Sequence, residues 1–226
     1  MISKYLKFIL STYLSVAFAQ EVKWMSIGDL HNWYSAAGSE IEVGRTGQVS
    51  DQQDGLRYPA FYRVQDNQAA KGLWLGASNF YDPVVNKNYD KKVVHAGPRH
   101  LDIENETMPV ELTMDGKYDH PNVFVDGDPA TNLQYLDYVD NVDPNLESDR
   151  KINNIVQTSL GVQMKRTIYA FSHPDHQNYH IQEYVFTNNG CFDKDCNTSF
   201  EQTLEGFQVY LQYRYAISRE GMVYDG

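Results

Sequence analysis

After residue 19 the sequence has no apolar run approaching the ~18 uncharged residues of a membrane-spanning helix, and it has only two cysteines in 226 residues. Positive charge is scarce. Nineteen Lys and Arg stand against 30 Asp and Glu, for a net charge of −11. A nucleic-acid partner needs clustered Lys and Arg against phosphate, so this balance argues against one. Nucleophile and nucleotide signatures are also missing: there is no G-x-S-x-G, no P-loop and no G-x-G-x-x-G. No internal repeat or low-complexity tract is present. Cys191 and Cys196 lack a second cysteine pair or a neighbouring His, which makes them poor zinc ligands. In an exported chain, a pair this close predicts a local disulfide.

What is present begins with an export signal. Lys4 and Lys7 form a positive start, Phe8 to Phe18 a short apolar stretch, and Ala17-Phe18-Ala19 an A-x-A cleavage site ahead of Gln20. A membrane anchor is the alternative, but Glu21 and Lys23 follow at once. Residues 1–19 therefore read as a signal peptide, and the mature chain is expected to be secreted or at the cell surface, with no transmembrane segment. Cleavage removes two lysines and no acid, which leaves the rest more negative. That charge suits either plain surface solvation or weak cation binding. Aromatics are plentiful, at 13% with 17 Tyr, and Tyr works well where one edge is dry and the other wet.

Strand signals dominate the remainder. Short β-rich runs occur at 72–76, 92–95, 110–114 and 122–125, the last closed by Asp126-Gly127. Residues 156–172 and 179–187 follow, the second bounded by Asn188-Asn189-Gly190. The most regular segment is 207–218, with Phe207, Val209, Leu211, Tyr213, Tyr215 and Ile217 on one face and Gln208, Tyr210, Gln212, Arg214, Ala216 and Ser218 on the other. That pattern predicts one buried and one wetter face. Two short helices are expected. One runs from an N-cap at Ser26 to Gly38, with Leu30, Trp33 and Tyr34 on one face; the other starts at Asp143-Pro144 and carries Leu146, Ile152 and Ile155. The fold class is thus mainly β, an antiparallel β-sandwich with a few short helices. Residues 20–226 read as one mainly β region. A last strand so near Gly226 leads us to expect the N-terminal part of a longer protein.

Several clusters could carry chemistry, each beside a plainer reading. Asp140 and Asp143, with Asp137, Glu147 and Asp149, could offer oxygen ligands to calcium, or form a charged surface loop. Asp126 and Asp128 stand in the same position. Asp193-Lys194-Asp195-Cys196-Asn197 opens like a calcium loop but then departs, with Thr198 for Gly and Leu204 for Glu. His173, Asp175, His176 and His180 could ligate a transition metal, or line a polar hairpin loop. Glu183, between Ile181 and Val185, would need a partner such as Arg166 or Arg214 if buried, and could then serve as an acid catalyst. Tyr210, Gln212 and Arg214, spaced by two on the wetter face of 207–218, suit a glycan: Tyr packs on a sugar face while Gln and Arg offer donors. Asn105-Glu106-Thr107 and Asn197-Thr198-Ser199 are formal glycosylation sequons.

Four stretches together carry a resemblance: Asp54-Gly55-Leu56-Arg57-Tyr58-Pro59-Ala60, Gln68-Ala69-Ala70-Lys71-Gly72-Leu73-Trp74, Lys92-Val93-Val94-His95-Ala96-Gly97-Pro98-Arg99, and Tyr213-Arg214-Tyr215-Ala216-Ile217-Ser218-Arg219-Glu220-Gly221. From about Trp24 onward the chain resembles the N-terminal region of large exported proteins of Gram-negative bacteria, which often end in a type IX secretion sorting domain. The resemblance implies export and brings no catalytic residues; no sorting domain lies within the sequence. The expected function is a secreted or cell-surface module binding glycan or another surface protein, with calcium as the one cofactor considered. The alternative is an extracellular polysaccharide hydrolase, which needs two carboxylates at a defined separation.

Overall fold

The computed structural model describes residues 21–40, 55–61, 67–96, 106–120, 124–129 and 137–215. Residues 1–19, expected to be a signal peptide, and residues 216–218 of the expected last strand lie outside them. The described chain is mainly β. Its strands are β1 (Val22–Met25), β2 (Asn32–Ser35), β3 (Gln68–Asp82), β4 (Lys87–Ala96), β5 (Thr107–Gly116), β6 (Phe124–Val125), β7 (Asp128–Pro129), β8 (Asn141–Val142), β9 (Arg150–Thr158), β10 (Val162–Ala170), β11 (Ile181–Asn188) and β12 (Glu205–Tyr215). They build a five-stranded sheet ordered β11-β10-β9-β5-β8, a three-stranded sheet ordered β12-β3-β4, and the ribbons β1-β2 and β6-β7. Every pairing is antiparallel except the short β5-β8 contact.

Alternation decides which side chains enter the core. On β3, Leu73, Leu75 and Ala77 are buried while Trp74 is exposed. On β10, Val162, Met164, Arg166, Ile168 and Ala170 point inward. Two apolar clusters result. One joins Leu73, Leu75, Phe80 and Val94 of the three-stranded sheet to Val156, Val162 and Met164 of the five-stranded sheet, with Leu160 and Phe192. The other joins Met25, Tyr34 and Ala36 around the β1-β2 ribbon to Leu112, Met114, Ile152 and Ile168. The three-stranded sheet and the β1-β2 ribbon thus cover neighbouring parts of the inner face of the larger sheet, a sandwich arrangement. Between the clusters lies a buried polar band. Arg166, fully buried, donates to the carbonyls of Gly38 and Ser35, both at 2.9 Å, and Asn154 donates to Ala36 and Glu111 carbonyls at 3.0 and 2.9 Å.

Three expectations need correction. Neither short helix forms. Leu30, Trp33 and Tyr34 belong to a turn and to β2, where Trp33 pairs with Trp24 of β1. Leu146 sits in a turn, while Ile152 and Ile155 fall on opposite faces of β9, Ile152 buried and Ile155 not. The expected buried face of β12 is covered only at its start, where Phe207 packs against the core; Val209, Leu211, Tyr213 and Tyr215 further along this edge strand are exposed. The Cys191–Cys196 disulfide is formed. The loop it closes is also organised by the Asp193 carboxylate, which accepts the amides of Asp195, Asn197 and Thr198.

Candidate functional site

The outward face of the β12-β3-β4 sheet carries an aromatic row. Register places Tyr210 of β12 opposite Trp74 of β3, and Trp74 opposite His95 of β4. Tyr210 and Trp74 meet edge-on with centroids 6.3 Å apart, and Trp74 and His95 lie 5.7 Å apart at 51°. Trp74 is 44% and Tyr210 55% exposed. The inward Leu73 and Leu75 force Trp74 outward, and Gly72 and Gly76 leave its flanks bare. A Cβ on Gly72 would stand 3.1 Å from the indole nitrogen. The next rows hold Gln212 opposite Gly72, and Gln208 opposite Gly76, itself paired with Val93. Val93 is 49% exposed. His95 is held by Glu106, whose carboxylate lies 2.8 Å from its Nδ1.

Tyr210 and Gln212 therefore share this open face as their spacing suggests. Arg214 pairs with Ala70 at the end of β12, and its side chain lies outside what the structure describes. Trp74 and His95 were missed as partners of Tyr210. The signal for Trp74 was its place between two leucines on an alternating strand; His95 becomes a partner only through the pairing of β3 with β4.

No family model, curated protein or solved structure matches the chain.

At the other end of the sheet edge are two adjoining cavities. One of about 470 Å³ is lined by Asn188, Asn189, Gly190, Glu201, Gln202 and Thr203. Its neighbour, about 360 Å³, adds Val162, Phe186, Leu204 and Phe207. Much of this polar lining is already engaged: Gln202 exchanges hydrogen bonds with the Tyr81 backbone, and Asn188 donates to the Gln202 carbonyl at 2.9 Å. Glu201 is the one carboxylate among the described residues lining either cavity, so neither presents the carboxylate pair of a glycosidase.

The acidic candidates are spread over separate structural tasks. Asp140 accepts the Met114 amide at 2.6 Å and pairs with Lys23 at 2.9 Å. Asp143 accepts the Asn145 amide at 2.9 Å. Asp137 pairs with His120 at 2.7 Å, and Asp149 accepts both the amide and the hydroxyl of Ser172. Glu147 is exposed. Asp126 and Asp128 flank the exposed β6-β7 turn, where Asp126 and Gly127 have φ of 55° and 91°. Asp193 is engaged with backbone amides, and those hydrogen bonds hold its carboxyl below the ordinary range. The histidines diverge. His173 and His176 are exposed neighbours with Asp175, while His180 turns inward to Tyr34 OH at 2.7 Å. Among the described residues no three His, Cys, Asp or Glu converge to hold a metal ion. Glu183 is exposed along with Ile181 and Val185, and Arg166 is committed to backbone carbonyls.

Proposed function

We propose that the chain is a secreted or cell-surface module that binds a glycan on the open face of the β12-β3-β4 sheet. The observation that supports this is the row Tyr210, Trp74 and His95 crossing three strands, with the indole bordered by glycines. Aromatic rings offer apolar area with little conformational entropy to lose, which suits the C–H face of a sugar ring. Gln208 and Gln212 supply amide donors and acceptors for hydroxyls on the same face. The acidic chain favours a neutral sugar over an anionic one through its overall field. The leader at 1–19 and the resemblance to exported bacterial proteins support the location.

A glycan array tests this reading. The parent protein should be retained on neutral glycans, and Trp74→Ala and Tyr210→Ala should each weaken the best hit by about tenfold or more, about 1.4 kcal/mol. Near-ultraviolet circular dichroism should show both variants folded. A silent array, or variants that bind like the parent, would refute it. A second reading, a protein partner, is favoured by one observation. Among the described residues no strand pairs with the outer edge of β12, along which Val209, Leu211, Tyr213 and Tyr215 are exposed. An edge of that kind can accept an added strand.

A further inference from the structure

We propose that Asn32, Glu40 and Lys71 form a self-reacting triad that joins the Lys71 and Asn32 side chains by an amide bond. Asn32 lies on β2, Glu40 just beyond the turn that follows it, and Lys71 on the inward face of β3. Each is 2% exposed. Glu40 bridges the other two. One carboxylate oxygen, Oε1, contacts the Lys71 amine, and Oε2 accepts Asn32 Nδ2 at 2.6 Å. Gln182 donates to Oε1 at 2.7 Å and holds the carboxylate in place. The Asn32 carbonyl oxygen is buried with no hydrogen-bond partner, so its amide is not committed elsewhere through that atom.

The surroundings favour a reactive amine. The Tyr213 ring lies over Lys71 Nζ at 4.3 Å, and register pairs the two residues across β12 and β3. Burial first, and the positive Arg166 second, push the Lys71 amine below its ordinary value. An uncharged, desolvated lysine is a nucleophile, and a carboxylate in contact with both reacting groups can move the proton between them. A lysine and glutamate held only as a buried ion pair would gain little once both are desolvated; the reaction gives this pair a chemical role.

The step balances without a co-reactant. Lys71 Nζ attacks Asn32 Cγ, and the new N–C bond forms as Glu40 Oε1 takes a proton from the amine. The Cγ–Nδ2 bond breaks, Glu40 returns the proton to that nitrogen, and ammonia leaves. Glu40 ends as the carboxylate it began as. The product is a covalent tie between β2 of the hairpin and β3 of the three-stranded sheet.

Peptide mass spectrometry of the purified full chain tests this independently of any glycan binding. After reduction, denaturation and trypsin, an amidated Lys71 is not cut. The expected product is a branched peptide of residues 24–45 and 64–87, lighter than the two together by one ammonia, with fragments placing the junction at Asn32 and Lys71. Glu40→Gln, which retains both reacting residues, should yield the unlinked peptides. Cleavage after Lys71 in the parent, with separate peptides, would overturn the proposal whatever the variants do. So would a junction at Glu40 with loss of water. A link that survives in Glu40→Gln would overturn the role given to Glu40.

Discussion

Lowering the pH from about 8 to about 5 should cost the fold about 2 kcal/mol through His180 alone. The residue as a whole is only partly buried, but its nitrogens decide the cost: Nε2 has no solvent contact and Nδ1 meets Tyr34 OH at 2.7 Å. Burial is the main cause that holds the ring down to about 4. A backbone hydrogen bond at Leu30 opposes it. Burial also raises the Tyr34 phenol, so its hydroxyl keeps its proton and donates to a neutral imidazole. In the unfolded chain the imidazole takes a proton near 6.5, whereas in the fold it does not until about 4. Between those values the unfolded state binds more protons, so stability is complete above about 6.5 and falls as the pH drops toward 4. The full separation corresponds to ~3 kcal/mol, of which about two thirds is lost by about pH 5. Urea unfolding at both pH values, for the parent and for His180→Gln, isolates the effect, since other titrating groups are common to both. The parent should lose about 2 kcal/mol more than the variant. Equal losses in the two proteins would refute the reasoning.

Other perturbations give equally direct tests. Gly28 has φ +75°, and a Cβ there would meet the backbone oxygens of Gln177 and Phe171 at 2.7 and 2.8 Å; Gly127 has φ +91° and open space. Gly127→Ala should cost about 1–2 kcal/mol of backbone strain, and Gly28→Ala at least ~3 kcal/mol because the clash is with backbone. Equal costs by chemical denaturation would contradict the packing described at Gly28. Titration of the unfolded, unreduced protein should find no free thiol, and reducing Cys191–Cys196 should lower stability by about 2 kcal/mol, as expected for a short closed loop; two free thiols would reject the bond. Intact mass of the exported protein should show a chain starting at Gln20, and a species still starting at Met1 would reject cleavage after Ala19.

Sequence pattern reached the fold class because alternation survives where both neighbours are apolar. Leu73, Trp74 and Leu75 announce β3 on their own. It failed at β9, where the inward positions include Arg150, Asn154 and Thr158, so the alternation there is one of position rather than polarity. At 26–38 three aromatic and aliphatic residues fitted a helical face equally well; pairing of Trp33 with Trp24 decided for a strand, a tertiary choice invisible locally. For β12 the faces were legible but their burial was not, since burial depends on how far the opposite layer extends. The open-face row was half visible, through Tyr210 and Gln212. Its other half needed the order β12-β3-β4. Asn32 and Glu40 stand eight residues apart, but Lys71 lies 31 residues from Glu40, and no local pattern connects the three.

Arg166 also constrains how the sheets can be threaded. On β10 it is flanked by Lys165, exposed, and Thr167, which faces the opposite side of the sheet. Sliding β10 by one residue along β9 would turn every inward side chain outward. Lys165 would then enter the core face without the paired donors of a guanidinium, the Gly38 carbonyl would lose its Arg166 donor, and the Ser35 carbonyl would keep only the Gly38 amide. Buried polar groups add little net stability, but an alignment that satisfies them in only one arrangement penalises each misaligned one. The guanidinium thus works as a key for strand alignment: a hydrophobic substitute at 166 would be judged less by its melting point than by whether the sheet still settles in a single register.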